Sequence, residues 1–576
     1  MINPPKQLLV LGCSATKIQT DGVLPAVHLY DGPTFRVLRT FLRDNSWPDS
    51  LSIAVLSAKF GLIGGLAQIP YYNKRMTPAR AAALSPAVTA SLKELSTQHR
   101  TIDLVMGRDY RETIDTQAVQ IHGSKFRVVE GGIGMKLNRL HGLLRDLPHH
   151  RRPRRTTVER PSRPLYFLPD WDDFLDVGYD FETDSFSDAQ RASRKEEHSI
   201  ALMRPHRLCD GVLVSLAQNL GTKGLLKRIG HTDADSFAPK SVRAHFKLGQ
   251  DQWAFGDCGA FSYVNEALPT ISVEQAVSLY ELYEFDYGAS VDHIPVPEII
   301  RDGEKLGLPE SERKARIRLT RRNAEKFIST HREHSANFVP VGIIQGLHPH
   351  DYARQMGDYL DMGYTHVALG GLVPRRDSEI RQIVQAVHQA NLRLRRPLWI
   401  HLLGVYRPAL QADFRRCQVA SFDSATYFRK AWLRSDQNYL AANGKWYAAI
   451  RVPPTRDGRT FARLKKSRVA KAEIKRLETA ALDALHAYDR GKLSLKRCLE
   501  AVTAYDRLLI RAEVIDKGLE SSYRETLRDK PWRDCACAVC KAIGVDVLIF
   551  RGLNRNKRRG AHNTLQLYKA LAKPKQ

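Results

Sequence analysis

The chain has little of what secreted and membrane-embedded proteins rely on. Eight cysteines in 576 residues do not make the disulfide framework of a small extracellular domain. No apolar run approaches the roughly 20 residues that cross a bilayer, and mean hydropathy is −0.37. The opening MINPPKQLLVLGCS carries one lysine before a short apolar run that leads into a turn-like GCSATK. It reads as a first strand rather than a signal peptide, and the protein is expected in the cytoplasm. No repeat of 20–50 residues is visible. Acidic residues are also short: 62 Asp and Glu face 89 Lys and Arg, a net charge of +27. An imbalance that size suits a polyanion, which makes nucleic acid the first partner to consider. What is present is an ordinary globular mixture, 43% apolar and 26% charged, long enough for two to four domains.

The first 147 residues alternate apolar strands (7–14, 52–62, 101–110, 125–132) with helical patterns, which predicts a small open α/β domain. Residues 148–164, dense in Pro and Arg, read as a basic linker suited to phosphate contacts. From Leu165 a second α/β series runs to about residue 450. Seven apolar runs (211–216, 253–257, 288–292, 339–346, 365–372, 397–404, 419–423) are separated by helical patterns. Ser272 and Gln275 predict a capping box, and Ile380, Ile383, Val384 and Val387 form one helical stripe. The count suggests a (β/α)₈ TIM barrel, whose site lies at the C-terminal ends of its strands. Asp257, Asp292, Gln345, Gly371 and Asp423 fall at such ends. Residues 451–530 read as a basic helical insertion, with Ile474, Leu477, Ala481, Leu485 and Tyr488 on one face. Residues 531–576 form a closing module.

That module holds Cys535, Cys537 and Cys540, followed by His562. Three thiolates and an imidazole make a full tetrahedral zinc set with no position left for water, so a structural Zn²⁺ is expected. Cys13, Cys209, Cys258, Cys417 and Cys498 are isolated and read as apolar fillers.

Taken together, these segments resemble the tRNA-guanine transglycosylases and their DNA-acting relatives, over roughly 205–430 and 535–570. GDCGAFS is similar to the family's Asp-Ser-Gly-Gly-Phe-Gln segment, implying Asp257 as general acid/base with Cys258 beside the substrate. SVDHIP and GIIQG imply Asp292 and Gln345 as readers of the base edge. VALGGL supplies Gly370, Gly371 and Leu372, and HLLGV places Leu403 where the family has a methionine flanking the base. FDS resembles Phe-Asp-Cys and implies Asp423 as nucleophile. His562-Asn563 matches the family's zinc ligand and the Asn that often follows it.

The chemistry asks for these types. A carboxylate at C1′ forms a covalent glycosyl-enzyme that keeps the backbone unbroken while the base is swapped. A second carboxylate manages protons on the two bases, and two acids facing one pocket would titrate apart. After the nucleophile, the tRNA enzymes' Pro-Thr-Arg run is replaced by Ser424-Ala425-Thr426-Tyr427-Phe428-Arg429-Lys430. Arg429 and Lys430 can meet phosphates there, and Tyr427 and Phe428 can stack on or wedge against a neighbouring base. The chain also stops 14 residues after His562, without the RNA-binding domains of the archaeal enzymes. YFLPDWDDFLDVGYDF and the long helical insertion resemble the DpdA family, which inserts 7-cyano-7-deazaguanine into DNA. The resemblance therefore implies DNA and free 7-cyano-7-deazaguanine as partners, in a bacterial or phage-infected cell. Further DNA-modification proteins, an ATPase among them, are also implied. A duplex target would be flipped out of its stack. The same reaction on tRNA, a non-catalytic nucleic-acid-binding subunit and a plain glycosylase stand as alternatives. In the first domain, Cys13, Ser14, Lys17, Tyr30, Ser57, Lys59 and Gly61 resemble DUF6884 and YaaA-like proteins. Loops there could take a phosphate or a flipped nucleotide.

Overall fold

The computed structural model describes residues 6–120, 124–152, 161–170, 173–190, 193–219, 237–433, 436–455, 458, 462–464, 470–515 and 517–572. The centre of the basic linker, 153–160, lies outside them. Backbone contacts divide the chain into two units: 1–164, 213–245 and 253–422 in the first, and 165–212, 246–252 and 423–576 in the second. No helix among the described residues is long and apolar enough to cross a membrane.

The first unit begins with a sheet of β1 (Gln7–Gly12), β2 (Leu51–Ser57), β3 (Gly61–Gly64), β4 (Thr101–Val105) and β5 (Lys125–Val128), in the order β3-β2-β1-β4-β5. β1 and β2 are near-continuous apolar runs because helices cover the sheet: α1 (Pro33–Asp44), α2 (Pro78–Ser96) and α3 (Ile133–Arg145). The apolar stretch 52–62 is not one strand. It turns at Lys59 and Phe60, and β3 returns antiparallel to β2 from Gly61, whose φ of +74° only glycine adopts cheaply.

A closed barrel follows, formed by β6 (Leu165–Pro169), β7 (Gly211–Ser215), β8 (Trp253–Asp257), β9 (Tyr287–Ala289), β10 (Val339–Ile344), β11 (His366–Leu369), β12 (Trp399–Leu402) and β13 (Ser421–Asp423), in the order β7-β8-β9-β10-β11-β12-β13-β6. The eighth strand is β6, from the start of the second α/β series at Leu165. The pairings from β8 to β13 are parallel, with Phe255 opposite Tyr287, Val341 opposite His366 and Leu402 opposite Phe422. Parallel strands need long crossovers, supplied among others by α4 (Val273–Leu282), α5 (Glu310–Glu333), α6 (Pro349–Met362) and α7 (Asp377–Leu392). On α7 the stripe Ile380, Ile383, Val384 and Val387 is buried. The capping box forms by half: Ser272 accepts from the Gln275 backbone, while the Gln275 side chain donates to Gln68.

Aromatic residues pack against one another along β8, β9, β11 and β12. Tyr287 and Trp399 stack with centroids 5.8 Å apart, His366 lies 4.9 Å from Trp399, and His401 lies 4.8 Å from Phe255. Burial, aided by the Arg396 charge, pushes His366 down to about 3, so it packs as a neutral ring.

In the second unit α8 (Thr426–Lys430) is followed by α9 (Lys471–Asp489), α10 (Leu495–Arg511), α11 (Glu520–Asp529), α12 (Ala538–Ile543) and α13 (Gly552–Ala572). The predicted face of α9 is inside, with Ile474, Ala481, Leu485 and Tyr488 buried. Helix α13 is unusual: Arg551 leads into it, and Arg551, Arg555, Arg558 and Arg559 are all buried. Arg551 and Arg555 both pair with Asp184. Arg551 also meets Glu478 at 2.7 Å and Arg555 meets Asp546 at 2.7 Å. Arg559 donates to the carbonyls of Ala431 and Val547.

Candidate active site and metal centre

Asp257 is the last residue of β8. Its Oδ2 accepts from Ser215 Oγ at 2.9 Å and from the Gly259 amide at 3.0 Å. Ser215 ends β7, so two adjacent strand ends fix one carboxylate. Gly259, at φ +84°, turns the chain back after it.

Next to it the chain builds a buried polar cluster. Gln345 follows the end of β10 and its Nε2 donates to Asp292 Oδ2 at 2.6 Å. Asp292 lies three residues beyond the end of β9, and both side chains are 1% exposed. The Cys258 thiol donates to Asp292 Oδ1 at 2.9 Å, and the Tyr263 hydroxyl reaches both Cys258 Sγ at 3.0 Å and the Asp292 carbonyl at 2.8 Å. Burial pushes the Asp292 carboxyl up, while donation from Cys258 and Gln345 opposes it. Burial, together with the Asp292 and Asp257 carboxylates, raises the Cys258 thiol well above its ordinary range. Cys258 is therefore a hydrogen-bond donor to Asp292 rather than the apolar filler its isolation suggested.

Gln345 Oε1 is buried and has no hydrogen-bond partner among the described residues. An amide oxygen in that state costs about 1–3 kcal/mol, which is tolerable where a ligand donor meets it. Gly370 and Gly371 lie against this amide: a Cβ at Gly370 would stand 2.2 Å from Gln345 Nε2, and one at Gly371 2.7 Å from Oε1. Only glycine lets that backbone approach. Leu372 is fully buried beside them, and Leu403, after β12, is half-buried.

Several supporting residues escaped the sequence reading. Tyr352 on α6 donates to the Gly370 carbonyl at 2.9 Å, and Gln355 to the Gln345 carbonyl at 2.9 Å. Arg375 holds the carbonyls of Gly346, at 2.8 Å, and Gly371, at 3.2 Å. Nothing local marks Tyr352 or the Arg375 bond to Gly346, because each partner lies on the loop after a different strand.

A cavity of ≈ 560 Å³ in the first unit lies elsewhere, lined by Arg39, Arg152, Glu281 and His334 among others. It adjoins the turns that lead into β9 and β10, at the opposite end of those strands from their C-termini. Its charges are mutually paired, Arg152 with Glu281 at 2.9 Å and Arg39 with Asp31. It is the seam where α1 and the loop before it meet the barrel helices α4 and α5.

Asp423 ends β13 and is buried. In the second unit, the Tyr166 hydroxyl donates to the next residue's carbonyl, that of Ser424, at 2.8 Å. On α8, Arg429 is exposed and Lys430 half-exposed with its ammonium 4.2 Å from the Trp446 ring centroid. Tyr427 is half-buried, its ring 5.3 Å from that of Trp446. Phe428, expected beside a base, is instead fully buried, its ring 5.2 Å from Trp432 and its carbonyl closing on Gly560 of α13. It packs the fold and cannot stack on a base.

Cys535, Cys537, Cys540 and His562 converge with their ligand atoms within 4.8 Å of one another. Cys537 caps α12, its sulfur accepting from the Cys540 amide, which turns both thiols to one point. His562 Nδ1 lies 3.5, 3.5 and 3.4 Å from the three sulfurs. A tetrahedron with Zn–S near 2.3 Å and Zn–N near 2.0 Å has an S···N edge of about 3.5 Å, so the donor set fits that ion. His562 Nε2 donates to the Leu440 carbonyl at 2.7 Å, which fixes the tautomer, and Tyr439 stacks on the imidazole at 4.0 Å. Asn563 continues the brace: its Oδ1 accepts from Leu440 and its Nδ2 donates to the carbonyls of Asn438 and Tyr427.

Residues 8–141 match the family of unknown function DUF6884. A DNA-guanine transglycosylase from Salmonella montevideo is 35% identical over 414 residues, which cover 71% of this chain and 97% of that protein. With a closed parallel barrel and a Cys₃His cluster also in place, the chain belongs to the DNA-guanine transglycosylase family.

Proposed function

We propose that this protein exchanges guanine in DNA for free 7-cyano-7-deazaguanine through a covalent glycosyl-aspartate. The observation that carries the reading is the unpartnered Gln345 Oε1 beside the Asp292 carboxylate. Guanine and 7-deazaguanines present N1–H and N2–H donors on one edge, and these two side chains offer the acceptors. The Asp292 oxygens each retain a lone pair after serving Cys258 and Gln345. The Gly370–Gly371 backbone and Leu372 border the flat ring, and Leu403 flanks it.

In this reading the Asp423 carboxylate attacks C1′ as the C1′–N9 bond breaks, and the electron pair leaves with guanine, which takes a proton from Asp257. The incoming base gives its N9 proton to Asp257. Its N9 then attacks C1′ and breaks the bond to Asp423. The phosphodiester is untouched throughout. Ser215 and the Gly259 amide keep Asp257 aimed between the two proton transfers. Arg429, Lys430 and Tyr427 are read as contacts to the flipped strand. The metal is read as Zn²⁺, closed to water by four protein ligands and supplying structure rather than chemistry.

The test is base exchange by purified protein on guanine-labelled DNA or tRNA, with and without 7-cyano-7-deazaguanine, beside Asp423→Ala. Deazaguanine-dependent release of guanine from DNA, absent in the variant, is the expected result. Exchange on tRNA alone would overturn the substrate, and release without an incoming base would make the protein a glycosylase.

A further inference from the structure

The amino-terminal sheet has its own convergence of reactive side chains, unused by base exchange. From β1 the chain moves to β2 on one side, then crosses to β4 on the other. The C-terminal ends of β1 and β4 therefore form a topological switch point, where open α/β sheets take ligands. Cys13 follows β1, and its sulfur lies 3.0 Å from the Tyr110 hydroxyl, which follows β4. From the end of β2, Ser57 Oγ meets the Tyr72 hydroxyl at 2.7 Å, and Tyr72 meets Tyr30 at 2.6 Å. Burial pushes Tyr72 up to about 12, so its phenol keeps its proton.

Two ammonium groups converge on that ring: Lys17 Nζ lies 4.6 Å from the Tyr72 centroid and Lys59 Nζ 5.5 Å. Neither has a carboxylate partner among the described residues. Like charges gathered without a counter-ion raise the potential where an anion would sit. The loop carrying Lys17 is fixed before any ligand arrives. Ser14 Oγ accepts from the Gly32 amide at 3.1 Å and donates to the Thr16 carbonyl at 2.5 Å. A Cβ at Gly32 would meet Ser14 Cβ at 2.6 Å. Beside the lysines the Phe60 ring is 36% exposed, with Lys59 Nζ 5.1 Å from its centroid. An exposed aromatic face next to paired cations is the arrangement that holds a base and its phosphate together.

We propose that the amino-terminal domain binds a nucleotide through its phosphate, taken by Lys17 and Lys59, with the base on Phe60. The phosphate belongs either to a free nucleotide or to a strand of DNA. Cys13, partly exposed in the same cluster, reports occupancy locally whatever the barrel binds.

The test is alkylation of Cys13 by iodoacetamide in the full chain, followed at the peptide level with dGMP or a short oligothymidylate. A ligand at about four times its Kd slows the reaction about fivefold. Protection by dGMP assigns a free nucleotide; protection by the oligomer alone assigns a DNA strand; both support the site. Lys17→Gln with Lys59→Gln is expected to abolish protection at an unchanged melting temperature, and Asp423→Asn to leave protection intact even where exchange is lost. An unchanged Cys13 rate with both probes, or protection that survives the double lysine variant, would overturn the proposal.

Discussion

Asp184→Asn isolates what the buried arginines of α13 cost and contribute. Asp184 accepts from Arg551 and Arg555, whose side chains are 7% and 1% exposed. Asn adopts the left-handed φ of +55° found at residue 184 as readily as Asp. The change therefore removes one charge and turns an amide donor toward two guanidiniums. Breaking a buried pair costs about 3–5 kcal/mol when the surviving charge is left alone. Here Arg551 keeps Glu478 and the Val452 carbonyl, and Arg555 keeps Asp546 and the Phe181 carbonyl. That lowers the expected loss to about 2–4 kcal/mol, or roughly 5–15 °C of melting temperature for a unit of this size. Burial alone would raise the Asp184 carboxyl, but the Arg555 and Arg551 charges hold it below the ordinary value. A depressed folded value means the contribution is complete above the unfolded pKa and disappears as pH falls through the folded one. Calorimetry at pH 7 and pH 5 should show the same gap between wild type and variant, closing only in stronger acid. A gap under about 0.5 kcal/mol at pH 7 would refute the assignment of Asp184 as the arginines' shared counter-ion.

Gln345→Ala removes the amide that carries the free acceptor, and kcat/KM for exchange should fall by about two orders of magnitude or more. Unchanged DNA affinity by anisotropy would localise the loss to the base. Cys537→Ser opens the metal shell: elemental analysis should find about one zinc per chain in wild type and little in the variant, with a lower melting temperature. Burial raises Asp506 to about 6. That penalty is absent where both states are protonated, grows above the unfolded pKa and is complete above pH 6. Asp506→Asn should therefore stabilise the protein by about 1–3 kcal/mol at pH 8 and change nothing near pH 3, read by urea unfolding. Arg429→Gln with Lys430→Gln should lower the salt dependence of DNA binding by about two phosphate contacts while leaving folding unchanged.

Much of this fold was legible because parallel barrels repeat one local pattern: an apolar run, a polar end, an amphipathic helix. The runs at 253–257, 397–404 and 419–423 all contain strands. The residues expected at the metal are brought together, since cysteines two and five apart constrain one another without help from the rest of the chain. The eighth strand, β6, carried no such mark: LYFLP stands apart from the helix-separated series. Phe428 read as available because it follows the expected nucleophile closely, yet α13 covers it from more than a hundred residues away. The arginines from 551 to 559 look like a surface stripe in a polar run. Their counter-ions, Asp184 and Glu478, are distant in sequence, so only the tertiary fold reveals that these charges are spent internally.

The metal centre and the strand end carrying Asp423 are joined mechanically. His562 and Asn563 sit on one turn of α13; the first faces the three thiols while the second grips Leu440, Asn438 and Tyr427. One turn earlier Arg559 holds the Ala431 carbonyl, and Gly560 admits the Phe428 carbonyl to 3.0 Å of where its Cβ would lie. Tyr427, Ala431, Asn438 and Leu440 are therefore held to the same helix whose His562 meets the thiols of Cys537 and Cys540 at α12, and the first of them lies four residues after Asp423. On the proposed mechanism the Asp423 carboxylate reaches C1′ in line, and an error of about 1 Å in a reacting group costs on the order of a hundredfold in rate. A closed four-ligand site would add rigidity to the turn after this strand, beside the bond from Tyr166 to the Ser424 carbonyl. On the proposed mechanism, a metal held by these four ligands would act on rate through position alone.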